Sequence, residues 1–193
     1  MFFVCNIFVI DLSLFIINFD NFLSCIYNIF ISLRELRKKM KTISIKLKNE
    51  NDTLSFGKKL ASLLKPTDVV VLTGELGSGK TKLTEGILSY FGLENEISSP
   101  TFTIVNEYQS DSFFIYHFDV YRLEDSSEFL EIGGEEYFEK GICIIEWGEM
   151  ISDVLPKDYI HIVFHKDELD ENIRVLDITS YGKALDVYLD NIK

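Results

Sequence analysis

The sequence predicts a three-layer α/β domain with a mixed, mostly parallel sheet and a C-terminal antiparallel hairpin. Three observations predict it. From residue 40 onward, apolar runs alternate with amphipathic stretches. The run "VVVLT" (69–73) has no polar face, as expected of a strand covered by helices on both sides. Near the C-terminus, "YIHIVFH" (159–165) and "IRVLDI" (173–178) alternate with period two around the polar "KDELDEN", which is the pattern of a hairpin.

The elements follow in order. "TISIKL" (42–47) has strand periodicity. Asn51 or Asp52 is expected to cap a helix whose shared face is Leu54, Gly57, Leu60, Ala61 and Leu64, with Pro66 stopping it. A Gly-rich turn after "VVVLT" leads into a helix from about Lys80 to Tyr90. "SFFIYHFDVY" (112–121) and "ICIIEW" (142–147) read as further strands. Between them, "SSEFLEIGGEEYFEK" (126–140) reads as short acidic helices broken at Gly133–Gly134. A closing helix is expected from near Gly182, with Ala184, Leu185, Tyr188, Leu189 and Ile192 on one face.

Residues 1–39 differ from the rest, holding seven Phe and seven Ile but no Gly, Ala or Pro. A membrane span needs about 20 mostly apolar residues, and Asp11, Asn18, Asp20 and Asn21 interrupt every such window. A secretory signal would carry its positive charge before the apolar stretch and a small-residue cleavage site after it. The residues enriched here have A- and U-rich codons, and the whole chain has only two Ala, the usage of an AT-rich genome. The sequence is therefore expected to hold an extension over 1–39, from a mis-set start or a disordered segment, and one domain over 40–193 beginning at "MKTISIKL". A membrane or interfacial anchor is the competing reading of that stretch.

The formal net charge is −12, and because residues 1–39 carry four Lys/Arg against three Asp/Glu, the remaining 154 residues hold −13. That argues against a broad basic face for nucleic-acid backbone, so beside RNA another protein would have to do the gripping. Cys5, Cys25 and Cys143 show neither metal-ligand spacing nor a disulfide framework, so a reducing cytoplasmic location is expected.

"GELGSGKT" (74–81) fits G-x-x-x-x-G-K-[ST] in full, between a buried strand and a helix. Gly74, Gly77 and Gly79 permit the torsions by which successive N–H groups line an anion site at a helix N-terminus. Lys80 is suited to the β- and γ-phosphates and the Thr81 hydroxyl to the Mg²⁺ shell. The predicted nucleotide-binding segment is therefore Gly74, Glu75, Leu76, Gly77, Ser78, Gly79, Lys80, Thr81 and Lys82, in a P-loop NTPase fold. The D-x-x-G and N-K-x-D strings of a GTPase are absent, which favours ATP. Only Arg122 and Arg174 follow Met40, too few for the arginine-rich lid of a small-molecule kinase, which stands as the alternative.

Three further motifs bear on the site. "SSPTFTIVNEY" (98–108) is either an ordinary Ser/Thr turn or a loop over the γ-phosphate, with Thr101 and Thr103 flanking its centre. In "FFIYHFDVYRLED" (113–125), strand geometry puts His117 and Asp119 on one face, opposite Phe118 and Val120. Asp119 could orient or deprotonate water or hold Mg²⁺; the other reading is a surface Asp paired with Arg122. A zinc site at His117 lacks a second ligand cluster. "GICIIEW" (141–147) has the form of a Walker B strand, ending in Glu146, a carboxylate too costly to bury without a partner. Trp147 either packs or touches nucleotide or partner. The base-side candidates are Glu50–Asp52 and the hairpin near Arg174.

Taken in order, GELGSGKT, SPTFTIVNEY, HFDVYRLED and IIEWGE resemble the TsaE (YjeE) family over about residues 43–185. These are small bacterial ATPases required for threonylcarbamoyladenosine biosynthesis on tRNA. The resemblance implies an ATPase weak alone and active in complex with the threonylcarbamoyl transferase and its inactive paralogue. The tRNA, modified at the adenosine 3′ of the anticodon, would be met only indirectly. It further implies that Lys80 and Thr81 bind phosphate and Mg²⁺, that Glu146 is the Walker B ligand of Mg²⁺, that Asp119 positions water or metal, and that Trp147 lies by the site. Deleting residues 1–39 is expected to leave folding unchanged, read as an unaltered urea midpoint; a lowered midpoint would give that segment a structural role.

Overall fold

The computed structural model describes residues 41–100, 102–182 and 186–192. The expected N-terminal extension, Thr101, Ala184 and Leu185 lie outside the described residues. The strands are β1 (Lys41–Leu47), β2 (Val69–Gly74), β3 (Val105–Gln109), β4 (Phe114–Asp119), β5 (Gly141–Glu146), β6 (Tyr159–Lys166) and β7 (Arg174–Tyr181). The helices are α1 (Glu50–Ala61), α2 (Lys80–Tyr90), α3 (Ser126–Glu131) and α4 (Asp186–Ile192), with 3₁₀ turns at Gly134–Glu139 and Gly148–Ile151.

The seven strands of the described residues form one sheet in the order β1-β7-β6-β2-β5-β4-β3. The central strands β6, β2, β5 and β4 pair in parallel; β7 and β3 run against their neighbours. The apolar run of β2 is explained by this order. Alternate residues serve opposite layers: Val70 and Leu72 join Leu60, Leu83 and Ile87 under α1 and α2. Val69 and Val71 join Phe118, Phe129 and Ile145 on the other face, under α3 and the 3₁₀ turns. With no water on either side, a strand here has no use for polar side chains.

Local details depart from the sequence reading in instructive ways. The cap of α1 is Asn49, whose side chain accepts the Asp52 N–H at 2.9 Å, while Asp52 accepts the Lys48 N–H at 2.9 Å. Asp52 thus stands at the third helical position and accepts the N–H of the residue before the cap, and is not the cap itself. The buried face of α1 is Thr53, Phe56, Gly57, Leu60 and Ala61, with Leu54 only half-buried. The stretch 98–108 is only partly a loop. Val105–Gln109 is edge strand β3, antiparallel to β4, and burying Tyr108 alone leaves it little alternation to detect. β4 runs from Phe114 to Asp119, shorter than the apolar string 112–121, because Ser110 and Phe113 close a turn before it. β7 continues past Ile178 to Tyr181, where Thr179 and Ser180 pair with β1 and Tyr181 stacks on Tyr159. α4 buries Leu189 and Ile192.

Helices α1 and α2 meet almost backbone to backbone. A Cβ on Gly86 would lie 2.4 Å from the Leu54 carbonyl oxygen, and one on Gly57 would lie 2.5 Å from that of Leu83. Neither helix can accept a side chain there without separating. Gly86→Ala is therefore expected to destabilise the fold by about 1–3 kcal/mol despite alanine's better helix propensity, measured as a fall in the urea midpoint at unchanged m-value.

Candidate functional site

The carboxyl ends of the parallel strands converge where α2 begins, the usual place for a ligand in an open α/β sheet. Leu72 of β2 and Asp119 of β4 are both register partners of Glu146, at the tip of β5. A cleft at this edge is lined by Leu76, Gly77, Ser78, Gly79, Lys80, Thr81, Lys82, Asp119, Glu146 and Trp147, together with Glu50 and Ser99. Glu75 stands at the loop's outer side, 3.8 Å from the Lys166 ammonium. The predicted nucleotide-binding segment, Asp119, Glu146 and Trp147 thus gather at one edge, Gly74 as the last residue of β2.

Two glycines make the loop possible. Gly74 has φ 130° and backs onto Phe164, whose carbonyl oxygen would sit 2.6 Å from an added Cβ. Gly79, at φ 106°, caps α2 with no side chain of its own, leaving the helix N–H groups open to an anion. Lys80 folds back to donate to the Gly74 and Glu75 carbonyls at 2.8 and 3.1 Å. Its ammonium lies 3.9 Å from the centroid of a Trp147 ring, a cation–π contact. Burial pulls the Lys80 pKa below its ordinary value, a shift that the carboxylates of Glu146, Glu149 and Asp119 oppose.

Trp147 owes its position to backbone strain. It adopts φ 62°, unusual for a bulky residue, yet its N–H still donates to the Leu72 carbonyl at 2.9 Å. The β2–β5 ladder therefore runs one residue past Glu146 before the chain turns, and the indole sits against Lys80 and Tyr121. Ile104 is also left-handed, at φ 68°, and its carbonyl accepts the Asp119 N–H at 2.9 Å. The 98–104 loop is in this way tied to the strand end that carries Asp119. Thr103 donates within that loop to Asn106 at 2.8 Å.

The acids occupy different settings. The Glu146 side chain is 5% exposed; its Oε2 accepts the Thr81 hydroxyl at 3.1 Å and its Oε1 faces His117 Nε2 at 2.9 Å. Asp119 is 8% exposed and accepts the Tyr121 N–H at 3.2 Å. It is therefore buried and not the surface Asp of the alternative reading, while Arg122 lies over the Phe102 ring, 4.5 Å from its centroid. Thr81, Glu146 and Asp119 bring hard oxygen donors beside a phosphate loop, a set that suits Mg²⁺ and not a soft metal.

One group of residues escaped the motif reading. Lys166 and Arg174, at the ends of β6 and β7, grip the outward carbonyls of the loop. Lys166 donates to Leu76 at 2.7 Å, and Arg174 donates to Ser78 at 2.9 Å and to Gly77 at 3.5 Å. Because each peptide unit is planar and trans, a carbonyl held outward turns the next N–H inward. The hairpin thus sets the amides of Gly77 and Gly79, while the Ser78 N–H donates to the Glu75 carbonyl at 3.1 Å within the loop. The sequence offered only a weak signal, two cations facing each other across a predicted hairpin. Beside the loop, Glu50, Thr53, Lys82, Glu171, Asn172 and Arg174 line a second recess that joins both base-side candidates.

Comparison with known proteins gives a consistent picture. The family model described as threonylcarbamoyl adenosine biosynthesis protein TsaE matches residues 47–175. The tRNA threonylcarbamoyladenosine biosynthesis protein TsaE of Bacillus subtilis is 36% identical over 154 residues, covering 79% of this chain and 95% of that protein. Its counterpart from Rickettsia felis is 41% identical over 133 residues, covering 68% of this chain and 77% of that one. The crystal structure of YdiB from Bacillus subtilis superposes with a TM-score of 0.66 at 30% identity, covering 79% of this chain and 95% of that chain.

If the hairpin cations set the loop, removing one should loosen it. Amide hydrogen exchange across residues 75–79, read by mass spectrometry, is expected to quicken several-fold in Arg174→Ala and less in Lys166→Ala. Exchange at the wild-type rate in Arg174→Ala would show that the loop holds its shape alone.

Proposed function

Because this chain belongs to the TsaE family of threonylcarbamoyl adenosine biosynthesis proteins, we propose that it is a P-loop ATPase serving threonylcarbamoyladenosine modification of tRNA. The observation that carries the reading is the meeting of Thr81 and Glu146 at 3.1 Å beside the loop amides. That contact joins a strand-end acid to the hydroxyl that follows the phosphate-binding lysine. Such a pair suits Mg²⁺, which takes few protein ligands and completes its shell with phosphate oxygens and water.

In this proposal the loop amides that face the cleft, those of Gly77, Gly79 and Lys80 among them, receive the phosphates of ATP, and Lys80 exchanges its carbonyl contacts for phosphate oxygens. Thr81, Glu146 and Asp119 would hold the Mg²⁺, which supplies charge neutralisation at the phosphates. Asp119 orients the attacking water and accepts its proton. The water oxygen bonds to the γ-phosphorus as the bond to the bridging oxygen breaks, and ADP and phosphate leave. The base takes the recess between Glu50 and Arg174. Trp147 flanks the phosphates through its contact with Lys80.

The acidic surface supports a role in a cytoplasmic complex. With −13 over residues 40–193, the domain is suited to dock on a protein partner that itself grips tRNA. We assign that partner as the threonylcarbamoyl transferase with its inactive paralogue, and contact with tRNA as indirect. No described helix is long and apolar enough to cross a membrane. The kinase alternative is less well supported, since Arg174 is engaged by loop carbonyls and Arg122 by Phe102.

Two measurements test the proposal. In a reconstituted threonylcarbamoylation reaction, product beyond one turnover is expected to require this protein and hydrolysable ATP; repeated turnover without it would overturn the role. Glu146→Gln and Asp119→Asn are each expected to lower ATP hydrolysis in the complex by on the order of 100-fold while keeping much of the nucleotide affinity, whereas Lys80→Ala loses affinity as well. Normal hydrolysis by Asp119→Asn would remove it from the reaction.

A further inference from the structure

Nothing in the nucleotide site as described above uses His117. Its side chain is wholly buried in the middle of β4, 0% exposed, so it reaches neither solvent nor a ligand in the cleft. Its one hydrogen-bond contact among the described residues is Nε2 to Glu146 Oε1 at 2.9 Å, and Nδ1 has no partner. That asymmetry fixes the tautomer. If Nδ1 carried the hydrogen, a buried N–H would be orphaned and the Nε2 lone pair would face a carboxylate oxygen. With the hydrogen on Nε2, the ring donates to Glu146 and leaves only a lone pair unmatched, the cheaper omission.

We propose that His117 is the positioning residue for Glu146: its Nε2–H pins Oε1 and so turns Oε2 towards Thr81 and the phosphate cleft. The inference rests on the nucleotide and Mg²⁺ reading of the site given above. A glutamate has three rotatable bonds, and at the end of a core strand nothing but its partners selects a rotamer. Backbone pairing places its Cα through the Leu72 and Asp119 registers, but does not aim the carboxylate. The Thr81 hydroxyl alone cannot aim it, because that hydroxyl is itself needed at the cation. A donor on the dry side, held rigid inside a strand, frees Thr81 from that task. Outer partners of this kind commonly change metal affinity by on the order of 10- to 100-fold.

The position of the donor on the ring supplies the test. A glutamine amide nitrogen can reach where Nε2 lies, whereas an asparagine amide stops near the place of Nδ1 and cannot. The full chain is loaded with a non-hydrolysable ATP analogue, and Mn²⁺ is titrated as a Mg²⁺ substitute by electron paramagnetic resonance. Analogue binding without metal is measured in parallel by Trp147 fluorescence and reports that each variant is folded. His117→Asn and His117→Leu are expected to weaken Mn²⁺ binding by on the order of tenfold or more, with metal-free nucleotide affinity within about twofold. His117→Gln should recover most of the loss. If Leu fails the metal-free check, the Gln–Asn contrast decides alone. Equal Mn²⁺ affinity in Gln and Asn, or wild-type affinity in Leu, would overturn the positioning role. A wild-type protein that binds the analogue but no Mn²⁺ would instead overturn the metal reading, and His117's role with it.

Discussion

A carboxylate at the tip of a core strand is tolerable only if its oxygens have partners, and Glu146 meets that demand from two directions. His117 engages one oxygen from the neighbouring strand β4, and Thr81 the other from the first turn of α2. The arrangement depends on chain direction. Because β2, β4 and β5 are parallel, their carboxyl ends reach the same edge, and Leu72, Asp119 and Glu146 come level. An antiparallel β5 would have carried Glu146 to the opposite edge, with the same motif letters and no site. The topology therefore contributes as much to the chemistry as the motifs do.

Much of this was legible in the residues. The run "VVVLT" and the alternating hairpin strands announce themselves because water is absent from both faces of one and from a single face of the others. Lys80, Thr81, Asp119 and Glu146 are visible because their types are poorly suited to a core unless something uses them. What periodicity does not carry is partnership across strands. That His117 reaches diagonally to Glu146, two residues beyond its own register partner Ile144, depends on how β4 and β5 pair, which no local pattern encodes. β3 was hidden for a different reason: an edge strand that buries only Tyr108 has almost no amphipathic signal. The Asn49 cap was missed because Asp52, the more conspicuous residue, accepts the N–H just before the cap and so imitates one.

The hairpin shows how a phosphate loop can be held from outside. An anion nest works only while its N–H groups point inward, and carbonyls left to water would let the peptide planes rotate. Lys166 and Arg174 spend their positive charge on those carbonyls, within the same sheet that carries the loop. In an acidic chain this is also a local electrostatic correction, bringing two cations to the one place where a polyanion is expected to arrive. The domain can thus stay negative overall while remaining hospitable to phosphate.

The contact between Gly57 and Gly86 has a bearing on that same arrival. Helices that interlock through side chains can slip by small rotamer adjustments, but α1 and α2 touch through main-chain atoms, which have no such freedom. The direction of the α2 dipole is consequently settled when the protein folds. An incoming anion meets a field that is already aligned, and little of its binding energy is diverted to reorganising the helix that receives it.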